Sequence, residues 1–144
     1  MKEYAAITVP SNPRYLSVIR TVTATMAEMY GMAGKDIEDV KLAVDEACSN
    51  VIKHAYEGDT GQRIVVKFVF RKGFEVVIED SGIKARPEYI QGRSLEDVRP
   101  GGLGIHFIKR VFDVFAFDEK KKEGNRLRLI RYRRGDDEDR NSRQ

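Results

Sequence analysis

Apolar residues recur along this chain in two rhythms. Alternation or β-branched runs mark residues 3–9, 64–70, 74–79, 114–117 and 126–132 as strands. The pairs 64–70 and 74–79 flank Arg71-Lys72-Gly73 and read as a hairpin; the last two flank Lys120-Lys121-Lys122-Glu123-Gly124, a solvated tip. Helical spacing instead links Leu16, Ile19, Val22, Met26, Met29 and Ala33 behind the start signal Ser11-Asn12-Pro13, with the methionines as core filler. Gly31 and Gly34 close that helix. A second helix is predicted from Asp36, capped by it, to about Glu57-Gly58-Asp59. A short amphipathic helix carries Ile105, Ile108, Val111 and Phe112. Between residues 83 and 100 the pattern breaks down around Pro87, Gly92 and Pro100, a length common for lids and binding loops.

The second helix has two unlike sides. Ile37, Val40, Val44, Ala47, Val51 and Ala55 share one arc at about 100° per residue, the expected core face. Glu46, Asn50 and His54 step round at four-residue intervals on another, with Lys53 beside them. A carboxylate, an amide and an imidazole in a row beside a core helix suggest a site, although a solvated face or a structural cluster accounts for any one of them.

Composition narrows the classes. A chain of 144 residues, 41% hydrophobic and 34% charged, suits one globular domain with a charged surface. A net charge of +3 is too small for a strong nucleic-acid-binding field. The single cysteine, Cys48, excludes an internal disulfide and a Cys-based zinc site. Neither a signal peptide nor a membrane-spanning run is visible, so a reducing, cytoplasmic setting without membrane contact is expected. Residues 1–134 are read as the domain and 135–144, charged and without apolar residues, as a disordered tail.

Several pieces carry candidate chemistry. Gly101-Gly102-Leu103-Gly104 opens a helix, where backbone amides and the helix dipole favour an anion, though glycines also make plain turns. It is neither a Walker loop nor a dinucleotide fingerprint. Asp80-Ser81-Gly82 places a carboxylate at a strand end, able to accept from an amino group. The Asn50 amide oxygen is a hard ligand suited to magnesium, and Glu46 one turn earlier is a candidate base for an attacking hydroxyl. His54 and Lys53 are placed to touch phosphate or simply to face solvent.

Together these motifs resemble the GHKL (histidine-kinase-like) ATPase superfamily. The run from Glu46 to Tyr56 is similar to its N box, Asp80-Ser81-Gly82 to the G1 box, Gly101 to Ile105 to the G2 box and Gly124-Asn125-Arg126-Leu127 to the final strand motif, in the right order up to Tyr132. The Glu-Ala-x-x-Asn-x-x-x-His form resembles the anti-sigma serine kinases. That resemblance implies an α/β two-layer sandwich: a mixed, mostly antiparallel sheet with helices on one face. It implies ATP bound between the helices and the 83–100 loop, with Asp80 on the adenine amino group, Gly82 giving the base room and Asn50 holding Mg2+. Gly102, Leu103 and Gly104 would serve the phosphates, His54 and Asn125 would border the nucleotide, and Glu46 would be the general base.

The implied activity is phosphorylation of a serine on a STAS-type anti-anti-sigma partner by a protein, expected as a homodimer, that also holds a sigma factor. A nucleotide-dependent binding module without transfer, and a detached histidine-kinase catalytic domain, are the other readings. Two positions depart from the family pattern: Lys84 stands where a second glycine is usual, and Asn125 where threonine is frequent. Arg86 and Arg99 are further candidates for a terminal phosphate.

Overall fold

The structure is a computed structural model describing residues 3–91 and 103–133. The expected tail, the second half of the 83–100 loop (residues 92–100, including Arg99), and the glycines Gly101 and Gly102 lie outside the described residues. Strands β1 (Tyr4–Pro10), β2 (Arg63–Phe70), β3 (Phe74–Asp80), β4 (Val114–Phe117) and β5 (Asn125–Arg131) form one sheet in the order β1-β2-β3-β5-β4. Alternation decides its faces. Ile64, Val66, Phe68, Phe74, Val76, Ile78, Leu127 and Leu129 point into the core and are almost fully buried. The opposite face carries charges that close on one another. Glu75, only 2% exposed, is held by Arg71 at 3.1 Å and Arg128 at 2.6 Å. Glu79 is bonded by Arg126 at 2.5 Å. A carboxylate so far from water needs such charge-assisted partners.

The expected α/β sandwich is present, and every described pairing in its sheet is antiparallel. The parallel relation foreseen for a mixed sheet survives only at a distance. β3 and β4 run the same way, but β5 returns between them, a split β-α-β arrangement.

Helix α1 (Leu16–Tyr30) follows a 3₁₀ turn at Pro13–Tyr15, whose Asn12 side chain accepts from the Arg14 amide at 3.0 Å. It ends at Gly31, φ 110°, in the left-handed conformation that glycine tolerates. Met26 packs against the core, whereas Met29 is 67% exposed. At this end of α1 the aromatic Tyr30 makes the core contact instead, with ring centroids 5.2 Å from Phe70 and 5.8 Å from Phe74.

Helix α2 (Lys35–Asn50) starts behind Gly34 without a side-chain cap. The anticipated cap, Asp36, turns instead to Arg131 at 2.7 Å, tying the helix start to β5. Of the predicted core face, Val40, Val44 and Ala47 are fully buried, Val51 and Ala55 nearly so, and Ile37 packs partly buried against the core; Ala43 and Cys48, beside that face, are also fully buried. Each buried valine is worth roughly 1.5–3 kcal/mol, which holds the opposite arc rigidly in place. Regular α geometry stops at Asn50, short of the expected end. A π-helical turn, Val51–Ala55, follows, with the Tyr56 amide bonded to the Val51 carbonyl at 3.0 Å. Helices α3 (Pro87–Gln91) and α4 (Leu103–Val111) complete the layer; Ile105, Ile108, Val111 and the following Phe112 are buried, as their spacing predicted.

Candidate functional site

The end of α2 and the end of β3 meet, and the meeting is built by backbone. Because the helix ends in the π turn, the Ala55 carbonyl accepts the Ile83 amide at 2.8 Å. Gly82 lies so close that a Cβ there would stand 2.3 Å from the same carbonyl oxygen. The space a side chain would need at Gly82 is therefore filled by α2's own terminus. Tyr56 locks the junction: its hydroxyl accepts the Ser81 amide at 2.8 Å and donates to the Arg63 carbonyl at 2.5 Å.

Asp80, 5% exposed, accepts the Gly82 amide at 2.8 Å and the Asn125 side-chain amide at 3.0 Å. Burial pushes its carboxyl above the ordinary range, and these hydrogen bonds oppose the rise. Asn125 also donates to the Ile83 carbonyl at 2.8 Å and accepts the Ala85 amide at 2.8 Å. It thus holds the turn in which Lys84 replaces a glycine; the Lys84 ammonium itself reaches the Lys121 carbonyl.

Asn50 is 2% exposed, and its Nδ2 has no hydrogen-bond partner among the described residues. A buried amide left so costs about 1–3 kcal/mol, which makes sense where a ligand completes the site. Asn50, His54, Asp80 and Asn125 line one cavity, together with Ala85, Tyr89 and Phe117. Glu46 stands one turn before Asn50 against the first turn of α4, where a Cβ on Gly104 would fall 2.0 Å from its Oε1. Burial raises the Glu46 carboxyl above 4.5; Lys53 pulls it down and Asp45 up.

The structure thus gathers Glu46, Asn50, His54, Asp80, Gly82, Gly104 and Asn125 around one end of the sheet. The backbone of Leu103 begins α4, and Gly102 lies outside the described residues. Arg86 precedes α3 and accepts the Ile90 amide through its carbonyl at 3.1 Å. Tyr56, Ala85, Tyr89 and Phe117 were not singled out in the sequence. Tyr56 closes the N-box run and Tyr89 follows Pro87 by two residues, the signals that were available.

No group of three His, Cys, Asp or Glu side chains able to hold a metal occurs among the described residues. Of the side chains lining the cavity, the Asn50 amide oxygen is a hard donor of the type magnesium takes, phosphate and water oxygens completing such a shell. Among the described residues no helix is long and apolar enough to cross a membrane.

The architecture is thus a five-stranded antiparallel sheet under helices, with Asn50 on α2 and Asp80 at the end of β3 lining one cavity. The family model described as "Histidine kinase-like ATPase domain" matches residues 9–131. The chain belongs to that family. It is 32% identical over 114 residues to the serine-protein kinase RsbW of Bacillus thuringiensis (strain Al Hakam), covering 73% of this chain and 71% of that protein. The serine-protein kinase RsbW of Bacillus anthracis gives the same figures. These relatives are of the serine-kinase type to which the Glu46-to-His54 pattern pointed. Among solved structures, the RsbU and RsbW domains of Rv1364c from Mycobacterium tuberculosis align with a TM-score of 0.63 at 16% identity, covering 90% of this chain. The chain spans 32% of the length of that protein, and the likeness supports the fold.

Proposed function

We propose that this protein is an ATP-dependent protein serine kinase of the anti-sigma type, acting on a STAS-type anti-anti-sigma partner and also holding a sigma factor, as a homodimer. One observation carries the reading: Glu46 and Asn50 stand one turn apart on α2, the first against the α4 N-terminus and the second in the cavity that Asp80 closes. Asp80 and Asn125 would read the adenine edge, and His54 would border the nucleotide. Magnesium would be held by Asn50, where it would shield phosphate charge. Gly104, with Gly102 and Leu103 before it, would offer backbone amides to the phosphates.

In this reading the partner's serine oxygen forms a bond to the γ-phosphorus. The bond from that phosphorus to the β–γ bridging oxygen breaks, and ADP leaves. The hydroxyl proton passes to Glu46, whose burial makes it a stronger base than an exposed glutamate. The test is transfer of labelled γ-phosphate to the STAS partner. Glu46→Ala is expected to lower it about 100-fold or more while ATP still binds. Asn50→Ala is expected to abolish magnesium-dependent binding. Wild-type transfer by Glu46→Ala would remove the general base, and tight ATP binding without transfer to the true partner would favour the binding-module reading.

A further inference from the structure

The cavity between Asn50 and Asp80 is already occupied by the chain itself. Its free volume is about 30 Å³, room for a water molecule or two, whereas sites for ligands of nucleotide size span roughly 300–1,000 Å³. The occupant is Tyr89. Its ring centroid lies 5.6 Å from that of His54 and 6.1 Å from that of Phe117. It lines the same cavity as Asn50 and Asp80. An aromatic ring therefore fills the space between the amide expected to face the metal and the carboxylate expected to face the base.

Something must move before a purine can enter, and the parts differ in what movement costs. Asp80, Ile78, Asn125 and Leu127 belong to paired strands. Asn50 and Ala47 belong to a helix whose other face is buried. Helix α3 has five residues, none of them buried, and is too short to be stable by itself. Among the described residues it is held to the neighbouring elements by the Tyr89 ring, packed against the core, and by the Lys109 ammonium, which donates to the Ile90 carbonyl at 2.7 Å. On its N-terminal side the chain is pinned at Ala85 by Asn125, so Arg86 and Pro87 are the natural hinge.

We propose that Tyr89 is a removable plug: it holds the place of the purine, and nucleotide binds by displacing α3 about Arg86–Pro87. The proposal rests on the nucleotide reading of the site. Its consequence is a lowered apparent affinity, because only the fraction of molecules with α3 displaced can bind.

Calorimetric titration of the full chain with Mg-ATP tests it. Tyr89→Ala is expected to bind about tenfold more tightly or better, the factor that applies when the competent state is populated to about 10% or less. Lys109→Ala, which removes the hydrogen bond from α4 to the Ile90 carbonyl, shifts affinity in the same direction. A second readout does not depend on truncating the ring. The chain has no tryptophan, so in Tyr89→Trp the emission reports on position 89 alone, and saturating Mg-ATP should shift it to the red. If the wild type binds while Tyr89→Ala binds equally or more weakly, or if the tryptophan emission stays unshifted at saturation, the plug is wrong and the ring is at most a stacking surface. If neither wild type nor variant binds any nucleotide, the nucleotide reading falls and the plug with it.

Discussion

Asn125 donates one side-chain amide to both carboxylate oxygens of Asp80, at 3.0 and 3.3 Å, across 45 residues of chain. The same side chain grips Ile83 and Ala85, so the carboxylate and the turn beyond it are held as one unit. The residue expected to border the nucleotide acts first as the clamp on the residue expected to read it.

Asn125→Ala removes all of these bonds at once and leaves the Asp80 carboxylate with the Gly82 amide among its described partners. A loss of about 2–3 kcal/mol is expected, the range for hydrogen bonds to a buried charged group. A urea unfolding curve measures it. Asn125→Thr keeps a donor for Asp80 but cannot span both sides of the turn, so it should lie between alanine and wild type.

Two glycines separate stability from activity. At Gly82 an added Cβ meets backbone, 2.3 Å from the Ala55 carbonyl oxygen, and neither chain can step aside cheaply. Gly82→Ala should destabilise by about 1–3 kcal/mol, the usual cost of overpacking. At Gly104 the Cβ meets the Glu46 carboxylate, 2.0 Å from Oε1, at the far end of a side chain that can rotate. Gly104→Ala should therefore melt close to wild type but turn Glu46 out of position and lose phosphotransfer. Thermal melts and transfer assays on the two variants give this crossed pattern, and a severe melting loss at Gly104 would contradict it.

Glu46 sets a pH dependence whose sign can be worked out. Burial raises its folded-state value above 4.5, so the folded chain binds the proton more tightly than the unfolded one. As pH rises from about 4.5 through the raised value, this group takes stability away, and it returns that stability on acidification. Glu46→Gln should accordingly be more stable than wild type at neutral pH, with the gap closing below about pH 4. Glu79 opposes this trend. Burial raises it, but the bond from Arg126 and the charge of Lys67 outweigh burial and lower it, so its contribution is lost as pH falls. If Glu46 is the proposed general base, transfer requires it ionised, and the rate should climb with pH through a midpoint above the ordinary carboxylate range. Melting curves of both proteins at neutral and acid pH, with a pH–rate profile, check the two halves.

The amino-acid order alone determined what repeats within a few residues. Strand alternation, the buried arc of α2 and the placing of Glu46 and Asn50 on its other side all follow from periods of 2 and 3.6, and the structure reproduces them. The order of short motifs also led to the family. Folding decided what depends on residues far apart meeting in space. No local pattern says that Asn125 clamps Asp80, that Asp36 leaves its cap for Arg131, or that Gly82 is required by Ala55. Those contacts come from strand pairing and from a helix that ends in a π turn. Nor could periodicity show that Tyr89, in a stretch without regular pattern, fills the cavity. Whether a pocket is open or filled depends on the volume left when several elements pack together, and volume is not a property of any one segment.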